Sequence, residues 1–245
     1  MKNQDQYNPQ WFSKQKKGSI SSAEIIVPIV MDMISPRSVV DVGCGVGGWL
    51  ESFMKRGITD MLGIDGAWVD ESQLRIPAES FRKEDINKPF KTGRKADLAV
   101  CLEVGEHLDG SAADGLIRNL TETAPVVLFS AAIPQQPGTG HINGQWPEYW
   151  ASIFKRYGYV PVDCIRRRVW MDPNVEYWYA QNAFMYVKES EIDKYPKLKK
   201  ELECGYPQTL PLVHPRRYYY ALQPPPTVAF RIKRKIKALF RTRQP

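Results

Sequence analysis

The sequence of 245 residues predicts an α/β protein, with a mostly parallel sheet covered by helices on both faces. Three observations predict it. Short apolar runs alternate with amphipathic stretches from residue 38 onward. The runs are apolar throughout rather than at every second position, as in strands buried on both faces. The first run also ends in a glycine-rich turn that opens onto a helix. Two later strand-like runs are joined by a connection too short and irregular for a helical crossover, so they are expected to pair antiparallel at the sheet edge.

Residues 1–20 read as an arm, with Tyr7, Trp11 and Phe12 as candidate anchors. A domain over 21–190 then opens with a helix. Ser21 or Ser22 suits its cap and Glu24 its first turn, and Ile25, Ile26, Ile29, Val30 and Met33 keep helical spacing up to Pro36. Strands are expected at Ser38–Val42, Met61–Asp65, Ser80–Lys83, Leu98–Leu102 and Val126–Ser130. Between and after them, helices are expected over 47–56, 70–76, 111–122 and 146–157. The edge pair is expected at Tyr159–Ile165 and Asn182–Lys188. Residues 191–227 read as a helical and irregular extension, ending in the stiff break of Pro224, Pro225 and Pro226.

Lys and Arg number 34 against 27 Asp and Glu, a formal charge of +7 that first suggests nucleic acid. The distribution argues otherwise. No acid follows Glu203, whereas nine basic residues lie from Arg216 to Arg243, so the body without them is slightly acidic. Within 228–245, Val228, Ile232, Ile236, Leu239 and Phe240 fall in one helical stripe about 120° wide, opposite most of the cations. Such a basic amphipathic helix suits an anionic membrane surface; docking on a partner or on the body, and nucleic acid, are the alternatives. Four scattered cysteines, a polar N-terminus and the lack of an apolar run near 20 residues predict a reduced, cytoplasmic protein, at most peripheral to the membrane.

The sharpest local signal is Asp41-Val42-Gly43-Cys44-Gly45-Val46-Gly47-Gly48, a strand running into a loop that lets a ligand approach the backbone, followed by a helix N-terminus that favours an anion. Asp65, about twenty residues later at a strand end, suits two ribose hydroxyls. Asp85 follows the third strand and is placed for an exocyclic adenine amine, with the Ile86 amide for a ring nitrogen; a turn or capping role for Asp85 is the alternative.

With DVGCGVGGWL, LGIDG, EDINKPF, DLAVCLEVGEHL and VVLFSAAIP in this order, the chain over about 20–190 resembles the class I S-adenosylmethionine-dependent methyltransferases. The resemblance implies a Rossmann-like seven-stranded sheet with an antiparallel last strand pair, and S-adenosyl-L-methionine as cofactor. It places Gly43, Cys44, Gly45 and Gly47 against the methionine part, with Asp41 near its ammonium. Asp65 and Gly66 fall at the ribose, Asp85 and Ile86 at the adenine, and Cys101, Leu102 and Glu103 beside the sulfonium. Trp68 shields a ribose or adenine edge or is simply a loop aromatic.

The segment from Ser130 to Trp150 is a long loop at the carboxyl end of a parallel sheet, where substrate groups collect. His141 suits a general base for a hydroxyl proton, a loop organiser, or a hydrogen bond to substrate. The block His141-x-Asn143-x-Gln145-Trp146-Pro147 and the later Tyr177–Asn182 resemble a bacterial subgroup of the family in which Glu stands where this chain has Gly144. Asn143, Gln145, Trp146 and Tyr149 have the amides and ring faces that suit a sugar, and Trp146 and Trp150, four apart, are expected on one helix face. His107 suits either a second catalytic position or a turn-capping role. A divalent-metal set of Glu103, Glu106, His107 and Asp109 is a weaker alternative, because neighbours on one turn rarely converge on one ion, and no metal is assigned. The expectation is therefore O-methylation of a small-molecule or glycan acceptor rather than of nucleic acid. Methylation of a quinone-like natural product and a non-catalytic RNA-binding or regulatory module are the rivals.

Overall fold

The computed structural model describes residues 9–88, 90–204 and 210–222. Helix α1 (Pro9–Ile34) leads into strand β1 (Ser38–Val42), α2 (Gly48–Met54), β2 (Asp60–Asp65) and β3 (Phe81–Lys83). Then come β4 (Leu98–Leu102), α3 (Ala113–Thr123), β5 (Val126–Ser130), α4 (Pro147–Arg156) and β6 (Tyr159–Val162). The short helices α5 (Arg166–Val169) and α6 (Tyr177–Asn182), strand β7 (Phe184–Lys188) and α7 (Pro196–Cys204) complete one compact unit, 1–212. A second unit, 213–245, contains α8 (Pro215–Leu222) among its described residues.

The seven strands form one sheet in the order β3-β2-β1-β4-β5-β7-β6, parallel except that β7 runs antiparallel to both β5 and β6. Both faces are dry, which is why the strands read as unbroken apolar runs. Val39, Leu98, Val100, Val126 and Leu128 face one core, with α1, α2 and Leu198 of α7. Val40, Ala99, Cys101, Val127 and Phe129 face the other, with Leu116, Ile117 and Leu120 of α3 and Trp150, Ile153 and Phe154 of α4. The strand order reverses beside β1, so the carboxyl ends of β1 and β4 meet at the switch point where sheets of this kind usually have their ligand crevice.

Three local expectations are corrected. The first helix starts at Pro9, and Ser21 and Ser22 lie inside it, both donating to the Gly18 carbonyl; the buried Ser22 Oγ also accepts from Glu176 N at 2.9 Å. The stretch 70–76 forms only a 3-10 turn at Glu71–Gln73, nucleated by Asp70 accepting from Ser72 N. The connection between the last two strands holds α5 and α6, because buried Arg166 ties it together by pairing with Asp163 and donating to the Leu210 carbonyl, over the Phe184 ring. The antiparallel edge pair stands. The amphipathic helix expected over 228–245 lies outside the described residues.

Candidate functional site

The loop after β1 is bent by Gly43, Gly45 and Gly47, all at positive φ (83°, 55° and 83°). Two of them are crowded: a β-carbon on Gly43 would clash at 2.3 Å with Val104 Cγ2, and one on Gly47 would lie tightly, at 3.0 Å, against Ile76. Gly45 differs, since a β-carbon there would meet nothing within 4 Å. Its backbone borders open space. Asp65, buried at the end of β2, accepts from Gly45 N and Gly66 N, each at 2.6 Å, and so holds the loop to the strand. Burial raises the Asp65 carboxyl above its usual range in spite of these two donors.

Asp41 is the less balanced acid. It is buried, its Oδ2 has no hydrogen-bond partner among the described residues, and burial together with the Asp65 charge pushes its carboxyl well above the usual range. A cationic ligand laid over Gly45 would relieve both acids. These acceptors therefore fit the ammonium and ribose hydroxyls of S-adenosylmethionine, and their charge its sulfonium. Cys44 is buried against Gly63, Ile86 and Leu102 are buried, and the Trp68 ring, 56% exposed, lies over Gly66. Asp85 is used locally: it accepts from Asn87 N and Asn87 Nδ2, both at 3.2 Å, and pairs with Lys88 at 3.0 Å, and these contacts lower its carboxyl.

The end of β4 carries a second group of acids. Glu103 sits in the left-handed region (φ 55°), its amide donating to Ser130 O at 2.9 Å. Its carboxylate accepts from Gln136 Nε2 at 2.9 Å and Asn182 Nδ2 at 3.2 Å. Gln136 Oε1 in turn accepts from Gln181 Nε2 (3.2 Å) and Asn182 Nδ2 (3.0 Å), so these buried amides form a scaffold around one carboxylate. Glu106 is fully buried and neither of its oxygens has a partner of good geometry among the described residues. Burial and the Glu103 charge push its carboxyl well up.

The long loop closes over this group. The carbonyl of Glu106 accepts from Ile142 N (2.9 Å) and Asn143 N (3.0 Å), and Ala132 O accepts from Gln145 N (3.1 Å). These bonds bring His141 beside Glu106, with Nε2 3.9 Å from Glu106 Oε1 and the ring 4.9 Å from that of His107. His141 Nδ1 lies 3.1 Å from Gln136 O; a carbonyl only accepts, so Nδ1 carries the hydrogen and Nε2 the lone pair. Burial lowers the His141 imidazole, and burial with the adjacent His141 pushes His107 down to about 4, so both are neutral at pH 7.

The remaining loop residues divide. Asn143 is buried and spent on the loop itself, donating to Gly105 O at 3.4 Å and accepting from Gln145 Nε2 at 3.0 Å. Trp146 and Trp150 do not share a helix face, because the helix starts at Pro147: Trp146 caps it in extended backbone and is 42% exposed, whereas Trp150 is buried on Phe129. Tyr149 is half-buried, its ring edge on Trp150. Asp109 stands apart, fully exposed and capping Ser111. The sequence assigns no role to Gln136, and it marks Gln181 and Asn182 only as part of the Tyr177–Asn182 block.

A model of the methyltransferase domain family matches residues 23–163. Magnesium protoporphyrin IX methyltransferase of the Arabidopsis thaliana chloroplast is 33% identical over 120 residues, which is 45% of this chain and 38% of that relative. Among solved structures, the sugar N-methyltransferase of a Streptoalloteichus species is similar with a TM-score of 0.53 and 15% identity over 73% of this chain and 91% of its own. The Synechocystis magnesium protoporphyrin IX methyltransferase has a TM-score of 0.51 and 17% identity over 76% and 90%. At these identities the two structures speak to the fold.

Proposed function

Since the chain belongs to the family of methyltransferase domains, we propose that it is an S-adenosylmethionine-dependent methyltransferase that methylates a hydroxyl of a sugar, glycan or glycolipid-linked acceptor. The observation that carries the cofactor half is the orphaned, buried Asp41 carboxyl beside the open backbone face of Gly45. Bound there, the cofactor supplies a methyl group on a sulfonium that leaves readily. The chain's part is then mainly to position an acceptor oxygen in line and to receive its proton. Asp41 and Asp65 hold positive charge and ribose hydroxyls, and the free lone pair on His141 Nε2 suits the acceptor hydroxyl.

The acceptor half is supported by the exposed Trp146 face near half-buried Tyr149, a pair suited to the C–H side of a sugar ring. A sugar N-methyltransferase shares the fold. The same exposed indole suits a flat quinone or natural product, the second reading, and the relatives named for a protoporphyrin acceptor point the same way. An intact loop with Asp41 and Asp65 weighs against a non-catalytic module. We place the enzyme in the cytoplasm, held at anionic membrane by residues 228–245.

Titration calorimetry with S-adenosylmethionine and S-adenosylhomocysteine tests the first half. One-to-one binding at micromolar affinity is expected, and no heat with either ligand would overturn the reading. Mass-spectrometric screening of sugar nucleotides, glycolipids and quinones for a methyl increment then separates the two acceptors.

A further inference from the structure

We infer that Glu106, His107 and His141 form a binding site for a divalent first-row transition-metal ion, with Glu103 beside it as a second carboxylate. Each of the three residues offers one ligand atom, and these atoms all lie within 4.8 Å of one another. Ligand atoms around such an ion sit about 3 to 4 Å apart, given bonds of about 2.0 to 2.2 Å, so small side-chain rotations would close the site.

Glu103 and Glu106 are neighbouring acids whose charges oppose one another, and a cation held beside them would relieve both. Glu106 is completely buried and has no hydrogen-bond partner of good geometry on either oxygen among the described residues. A buried carboxyl in that state costs several kcal/mol unless it is neutralised or bound to a positive charge. The imidazoles show the arrangement of ligating histidines, in which one nitrogen is anchored on a backbone carbonyl and the other is left free. His141 Nδ1 is held by Gln136 O, and His107 by Gly140. Glu103 adds negative charge while Gln136 and Asn182 fix its orientation. Gln136 therefore orients Glu103 through its side chain and His141 through its backbone.

The composition selects the ion. Two imidazoles with one or two carboxylates suit Mn2+, Fe2+, Co2+ or Zn2+, whereas Mg2+ and Ca2+ prefer oxygen ligands alone. The site excludes Asp109, and it joins residues from two loops, the one after β4 and the one after β5. Resting on the methyltransferase reading, the ion's open positions would receive the acceptor oxygen. His141 Nε2 would then be a ligand and not a base, since one lone pair cannot serve both.

The test uses the full chain stripped with chelator, titrated with Mn2+ and followed by electron paramagnetic resonance, with Zn2+ as competitor and S-adenosylhomocysteine calorimetry on the same samples. One Mn2+ per chain, displaced by Zn2+, is expected. Glu106→Gln should weaken it by about 100-fold and His141→Ala by about tenfold or more, while S-adenosylhomocysteine affinity changes by less than about twofold. His141→Ala removes a loop side chain and keeps the assay informative if Glu106→Gln does not fold. Wild type that binds no more Mn2+ than Glu106→Gln, or a Glu106→Gln protein that gains thermal stability with metal binding unchanged, overturns the site and shows Glu106 to be simply a protonated acid. Either result leaves the cofactor reading standing, because that rests on the calorimetry.

Discussion

Gly43 and Gly45 lie two residues apart in one loop and answer to different demands. A β-carbon on Gly43 would strike Val104, and the residue is also left-handed, so Gly43→Ala should cost about 2 to 4 kcal/mol in thermal denaturation. Gly45 is left-handed too, but its surroundings are open. Gly45→Ala should therefore cost only about 1 kcal/mol of stability and yet weaken S-adenosylhomocysteine binding about tenfold or more, because the methyl group fills the space the cofactor needs. Calorimetry and melting on both variants check this. Equal ratios of affinity loss to stability loss would refute the division. At this scale the sequence was informative about the loop: glycine spacing and the acid at the strand end are local patterns. The Glu106, His107 and His141 cluster was not legible, because the neighbour that completes it comes from a segment about 35 residues away, placed by the Ile142 and Asn143 amides bonding to the Glu106 carbonyl. For Asp85 the sequence leaves an adenine contact and a turn role open, and its oxygens accept from Asn87 and pair with Lys88.

Helix α7 illustrates an element docked by charge as well as by Leu198. Glu201 pairs with Arg167 and, at 2.8 Å, with Arg168, and these guanidinium groups, Arg168 foremost, hold its carboxyl below the usual range. A depressed acid contributes stability that is present above its unfolded value and lost as pH falls through the folded one. Glu201→Gln should accordingly lower stability by about 1 kcal/mol near pH 7, with the gap closing below the ordinary carboxylate range; melting curves of both proteins against pH check this. Among elements, the central strands β1, β4 and β5 were readable to the residue because burial on both faces makes them almost wholly apolar, whereas β3, Phe81-Arg82-Lys83, has no fully buried residue. The short helices α5 and α6 were not, since what orders them is the single buried Arg166 reaching Asp163 and Leu210, a long-range tie with no periodic trace. The start of α1 was misread for a related reason: the serines that look like caps instead bond back to Gly18 within a helix already under way.

For the molecule as a whole, the +7 charge belongs to the C-terminal segment and leaves a near-neutral body around the crevice. Membrane attachment through 228–245 predicts that wild type floats with vesicles containing phosphatidylserine at low salt and that a chain ended at Leu222 does not, with each near-surface cation worth about 1 kcal/mol. Flotation of the shortened chain, or none by the full one, would remove the membrane from the proposal. The sheet bears on how copies of this chain meet one another. At one edge β3 has only three residues, and at the other β6 carries Pro161, which has no amide hydrogen to give a further strand. Both borders are poor templates for strand addition, so crowding many copies together is not expected to fuse their sheets. Self-association would have to use helix or loop surfaces instead of strand edges.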